Sequence, residues 1–123
     1  MPEMQMGAVE ARFADIIWNH APVTAAQLAK FAEGELGWKK TTAYTVLKRL
    51  CEKGIFQNQK GTVTVLVTRE QFFAMQSEKF VEETFSGSLP AFIAAFAQRK
   101  AITKEELDQI RAMLDAYEQG GQT

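Results

Sequence analysis

The chain has little of what disulfide scaffolds, metal sites and membrane spans require. Its one cysteine, Cys51, excludes an intramolecular disulfide framework and any Cys-x-x-Cys zinc site. Its one histidine, His20, has no second histidine for an HExxH-type pair, so ligands for a transition metal are almost absent. Neither a metal nor a cofactor is therefore expected. No apolar run approaches the eighteen or so residues that a spanning helix needs. Met1 to Glu10 holds acids but no basic residue, unlike a signal or transit peptide, so a cytoplasmic protein with no membrane partner is expected. GxGxxG, GxxxxGK(S/T) and GxSxG are all missing. Glu82-Glu83 and Glu105-Glu106 are neighbours in sequence, so each pair diverges around its helix and forms no carboxylate dyad unaided. An enzyme is not expected.

What is present suits a folded domain. With 123 residues, 46% of them apolar, and a net charge of −1, the chain can bury a core and is not compositionally disordered. That charge is unevenly spread. Residues 1–69 hold nine Lys/Arg against six Asp/Glu, and residues 70–123 hold five against nine. The surplus concentrates between Trp38 and Lys60, where Lys39, Lys40, Lys48, Arg49, Lys53 and Lys60 face only Glu52 in the count. A basic segment in an acidic protein points to a polyanionic partner for that segment, although a solvated helix face has the same composition.

Periodicity supplies the elements. Phe13, Ile16, Ile17 and Trp18 mark a helix from about Val9 to His20, closed by Pro22. Thr24 reads as the N-cap of a second helix from Ala25 to about Leu36. A third runs from about Lys40 to Lys53, with Ala43, Val46, Leu47 and Leu50 at i, i+3, i+4, i+7 and Gly54 as its stop. The period then falls to 2 over Ile55–Gln59 and Thr62–Val67, with Lys60-Gly61 between them as a hairpin turn. Thr68 caps a helix through Phe85, Ser86-Gly87-Ser88 breaks it, and a short helix carries Leu89, Phe92, Ile93 and Phe96. Thr103, with Glu106 three residues on, caps a last helix lined by Leu107, Ile110, Leu114 and Tyr117. The predicted fold is mainly α with a small β-hairpin wing: a winged helix-turn-helix over residues 1–69 and a helical dimerisation region over 70–123. The aromatics Phe72, Phe73, Phe80, Phe85, Phe92 and Phe96 exceed what three short helices can cover, so a dimer interface is expected in that half.

The third helix carries the functional signal. Short hydroxyl side chains near its start and long cations around them suit a helix in a DNA major groove. Candidate DNA contacts are Lys39, Lys40, Thr41, Thr42, Thr45, Arg49 and Lys53, with Lys60 at the wing tip. Candidate dimer contacts are Phe80, Leu89, Phe92, Ile93, Phe96, Leu107, Ile110 and Leu114. Cys51 reads as a small buried hydrophobe with a redox sensor as the lesser alternative, His20 as a helix-end residue, and Met75 and Met113 as core fillers.

These residues resemble the penicillinase-repressor family of bacterial winged-helix regulators from about Glu10 to Leu114. The likeness lies in Glu10 with Ile16-Ile17-Trp18, in Trp38, and in Thr42, Thr45, Arg49, Leu50, Lys53 and Gly54, which fit the family's T-x-x-T-x-x-x-R-L-x-x-K-G pattern. Gly87-Ser88-Leu89, Phe96 and the stretch Thr103 to Arg111 continue it. The resemblance implies a homodimeric repressor that binds a palindromic operator in double-stranded DNA, released by an inducer or a sensor protease. It also marks departures. Family members that control β-lactamase genes are cleaved at an Asn-Phe bond, where this chain has Ala95-Phe96. Copper-responsive members carry a C-terminal cysteine cluster, and here no cysteine follows Cys51. Many members have lysine two residues before the Trp-x-x-x-Thr motif ends, or Ser-Pro ahead of it, whereas this chain has Lys39-Lys40-Thr41, which implies a different operator preference. A winged-helix protein–protein interaction module without DNA binding is the alternative, because fold does not fix function.

Overall fold

The computed structural model describes residues 5–121. Its helices and strands follow one another as α1 (Ala8–His20), β1 (Val23–Thr24), α2 (Ala25–Leu36), α3 (Lys40–Glu52), β2 (Phe56–Gln59), β3 (Thr62–Val65), α4 (Arg69–Phe85), α5 (Leu89–Arg99) and α6 (Lys104–Ala116). A terminal turn over Tyr117–Gly121 follows. The mainly helical winged-helix architecture expected from the sequence is present.

Local chemistry explains most boundaries. Thr24 accepts from the Gln27 amide while the Gln27 side chain accepts from the Thr24 amide, both at 3.1 Å. Thr68 with Gln71 and Thr103 with Glu106 close the same reciprocal loop at the starts of α4 and α6. Gly37 ends α2 in the left-handed region, φ 69°, so its amide and that of Trp38 can satisfy the last carbonyls of the helix. Lys60 and Gly61 both take positive φ, 52° and 90°, in the tight turn that joins β2 to β3. This geometry matches the right-handed strand twist.

The sheet holds one strand more than the sequence suggested. β1 pairs antiparallel with β3 through Val23 opposite Val63 and Thr24 opposite Thr62, giving the order β1-β3-β2. Two residues are too short to show a period of 2, and Thr24 serves both as strand end and as helix cap.

The chain divides into two compact units between Phe80 and Val81. In the first, Phe13, Ile17, Leu28, Leu50, Ile55, Phe56 and Val63 are completely buried. Each contributes about 1.5–3 kcal/mol by leaving water. Phe72, assigned from sequence to the C-terminal half, is only 3% exposed and belongs to this core. Its ring lies 5.8 Å from that of Trp18, so the start of α4 is part of the winged unit and the division falls later than Arg69.

The second unit is thinly covered. Neither α5 nor α6 buries any residue, and Phe85 and Phe92 meet edge to face at 5.6 Å. Met113, expected as a core filler, is 69% exposed, whereas Met75 packs against the first core. No helix among the described residues is long and apolar enough to cross a membrane.

Candidate nucleic-acid interface

The third helix is split lengthwise by its sequence. Ala43, Val46, Leu47 and Leu50 are buried, and their packing against the core fixes the rotation of α3. Thr41, Thr42, Thr45, Lys48 and Arg49 are consequently turned to solvent, as are Lys39 and Lys40 at its entrance. Thr41, Thr42, Thr45 and Arg49, with the edge of Val46, line one shallow open groove. Short side chains at the near end and a guanidinium at the far end make that groove a surface on which polar edges and an anion can be met together.

Two details refine the threonines and lysines. The Thr45 hydroxyl donates to the Thr41 carbonyl at 2.9 Å, one turn back, so towards a partner it presents its methyl group and oxygen lone pairs. Lys40 lies 5.9 Å over the Tyr44 ring, an aromatic at the edge of the same exposed face that the sequence reading did not single out. Lys60 stands exposed at the wing tip, where Asn58 accepts from the Gly61 amide at 3.0 Å and stiffens the turn.

Lys53, expected among the DNA contacts, is engaged within the protein. Its ammonium donates to the Gln5 carbonyl at 2.8 Å and to Glu10 Oε1 at 3.0 Å, and only 21% of the side chain is exposed. It anchors α1 to the end of α3. Glu10 also accepts from the Gly7 amide at 3.1 Å and lies 3.6 Å from the Arg49 guanidinium. The hydrogen bond from Lys53 holds its carboxyl below the ordinary 4.5; the Gly7 amide and the two cations reinforce it, and burial opposes them. Arg49, by contrast, keeps 56% of its side chain in solvent. Sequence spacing placed Lys53 and Arg49 on one helix but gave no sign of the Glu10 carboxylate, which lies on α1 far back along the chain.

The remaining singled-out residues take structural places. Burial pushes the Cys51 thiol up from 9.0, which disfavours the reactive thiolate and fits the reading of a small hydrophobe. His20 ends α1 and stacks on Phe31 at 4.1 Å. Among the described residues, no three His, Cys, Asp or Glu side chains gather as a metal ion would need.

In the second unit, apolar side chains form an open groove between α5 and α6, lined by Phe92, Ile93, Phe96, Ile102 and Ile110, with Glu106 at its edge. Leu89, Ile93, Phe96 and Leu114 are each between 42% and 57% exposed, and Leu107 and Ile110 somewhat less. Phe92 is half-buried against Phe85 and Phe96, so it holds its own unit together as well as lining the groove.

A solvent-facing helix of threonines and cations behind a β wing, followed by helices with uncovered apolar faces, matches one known pattern along its length. The sequence model of the penicillinase repressor family covers residues 6–116. The chain belongs to that family. It is 22% identical over 117 residues to the penicillinase repressor of Bacillus licheniformis, across 92% of this chain and 91% of that one. The family is one of transcriptional repressors, and the resemblance drawn from Glu10, Trp38 and the Thr42–Gly54 pattern is upheld.

Proposed function

We propose that this repressor acts as a homodimer on a palindromic operator in double-stranded DNA, each protomer laying α3 into a major groove. The exposed, acid-poor groove of Thr41, Thr42, Thr45 and Arg49 carries the proposal. In this reading Thr42 and Thr45 meet base edges, and Thr41 lies beside them. Lys39, Lys40 and Arg49 meet phosphates, and Lys60 reaches the backbone from the wing. Lys53 acts one step back, as the anchor of α3 on α1.

The second copy is the occupant proposed for the apolar faces of α5 and α6. Side chains such as Leu114, Phe96 and Ile93 gain from burial only against another surface, and an isologous interface supplies it without a new partner. Phe80, Leu89, Phe92, Leu107 and Ile110 complete that interface. A cytoplasmic location fits this reading.

Retention on heparin and on mixed-sequence duplex DNA tests it. The full chain is expected to be retained and to elute earlier as salt rises, and reversing the charge at Lys39, Lys40 and Arg49 together should abolish retention. A chain that passes through both columns at low salt would favour a winged-helix protein interaction module.

A further inference from the structure

Glu10 is an acid at the edge of a surface read as binding a polyanion, where on charge alone it should be a liability. Only 13% of its side chain is exposed, and it is the common partner of Lys53 at 3.0 Å and Arg49 at 3.6 Å. Lys53 is consumed by this contact and by the Gln5 carbonyl, whereas Arg49 remains 56% exposed. The three groups therefore leave one cation facing solvent, and that cation is held by Glu10 at one of its terminal nitrogens, Nη1. A free arginine side chain samples many rotamers, and fixing it on binding costs conformational entropy. A carboxylate seated on α1 removes part of that cost beforehand.

We infer that Glu10 is a positioning residue for DNA recognition, holding the Arg49 guanidinium where the operator backbone passes the end of α3. The inference rests on the DNA-binding reading above. Phosphate contacts fix the register of a protein on its site, so an Arg49 held in place favours the matched complex over a mixed-sequence one. A loose cation still attracts any duplex. Loss of Glu10 should therefore lower discrimination while leaving general attraction intact, whereas removing a repulsive charge alone would raise both affinities together.

The test uses the full chain, a duplex that it enriches from a random pool, and a mixed-sequence duplex. Glu10→Gln keeps the shape and an acceptor for the Gly7 amide, but removes the charge. The expected result is a fall of about threefold to fivefold in the ratio of the two affinities, with mixed-sequence affinity equal to or above that of the parent. In an Arg49→Ala background the same change should leave the ratio within about twofold, because the group that Glu10 positions is gone. Glu10→Asp, one methylene shorter, carries the same comparison if Glu10→Gln melts below the assay temperature. A lower melting temperature with an unchanged ratio would make Glu10 merely structural and overturn the inference. An equal fall with and without Arg49 would also overturn it. If the parent chain itself fails to bind duplex DNA, both the inference and the repressor–operator reading are lost; if only the ratio fails to move, the reading stands without it.

Discussion

The Trp18 indole N–H donates to the carbonyl of Val67 at 2.9 Å, although the two residues are 49 positions apart. The bond ties the last turn of α1 to the chain just after the wing. Around it the Trp18 ring meets Phe56 at 5.4 Å and Phe72 at 5.8 Å, and Arg69 lies 5.5 Å over its centre while also reaching Asp15 and Asn19. The root of α4 is thereby fixed to the winged unit by ring packing and the indole hydrogen bond at Trp18, and by Arg69, which covers that ring while bonding to Asp15 and Asn19.

Trp18→Phe should therefore cost about 1–3 kcal/mol, since the Val67 carbonyl loses its donor while most ring packing is kept. Urea unfolding followed by circular dichroism would show a lower midpoint at an unchanged slope. An unchanged midpoint would mean that water replaces the indole without loss.

Arg49 and Lys53 should separate in DNA titrations. Arg49→Ala is expected to reduce the log–log salt slope by about 0.9, the signature of one lost phosphate contact. Lys53→Met should leave that slope nearly intact and lower stability instead, because it strips the main partner from a largely buried carboxylate. Equal slope changes in both variants would put Lys53 back among the phosphate contacts.

The Glu10 carboxyl also predicts a pH dependence. Its folded value is held below 4.5, chiefly by the Lys53 hydrogen bond, so the charged form is favoured by folding. Its stabilising contribution is complete above 4.5 and disappears as pH falls through the lower folded value. The stability gap between the parent chain and Glu10→Gln should hence be constant from neutral pH down to about 5 and close below it. Denaturant midpoints across that range measure the gap, and a gap that widens on acidification would reverse the assignment.

Leu114→Asp should convert a dimer into a monomer. In the single chain Leu114 is 57% exposed, so the substitution removes little packing within its own unit and acts mainly where a second copy covers it. Phe92→Asp would be less informative, because Phe92 also supports Phe85 and Phe96. Sedimentation equilibrium should give a dimeric parent and a monomeric variant with unchanged helix content. A truncation meant to isolate the winged unit belongs after Phe80 rather than after Arg69, since Phe72 completes the first core.

Much of this was legible where a local rule and the tertiary fold agree. Thr24–Gln27 and Thr103–Glu106 announce helix starts through side chain and backbone chemistry confined to four residues. Lys60-Gly61 announces the wing through backbone sterics alone. Less legible is what a partner distant in sequence decides. Val23–Thr24 becomes a strand only because Val63 and Thr62 lie beside it. Lys53 looks like any surface cation until Glu10 arrives from α1. Met113 sits on the apolar stripe of α6, and nothing in a helical period says whether such a stripe meets its own chain or another.

Selection of bound duplexes from a random pool by the full chain tests the central claim most directly. A dimer with one α3 per groove should enrich an inverted repeat whose half-sites lie about one helical turn apart, or a multiple of it. Thr42→Ala and Thr45→Ala should each relax one or two base pairs per half-site, by about 1–3 kcal/mol of discrimination, without changing the spacing. A pool that emerges unenriched, or enriched in a single unrepeated site that both threonine variants still prefer, would contradict the account.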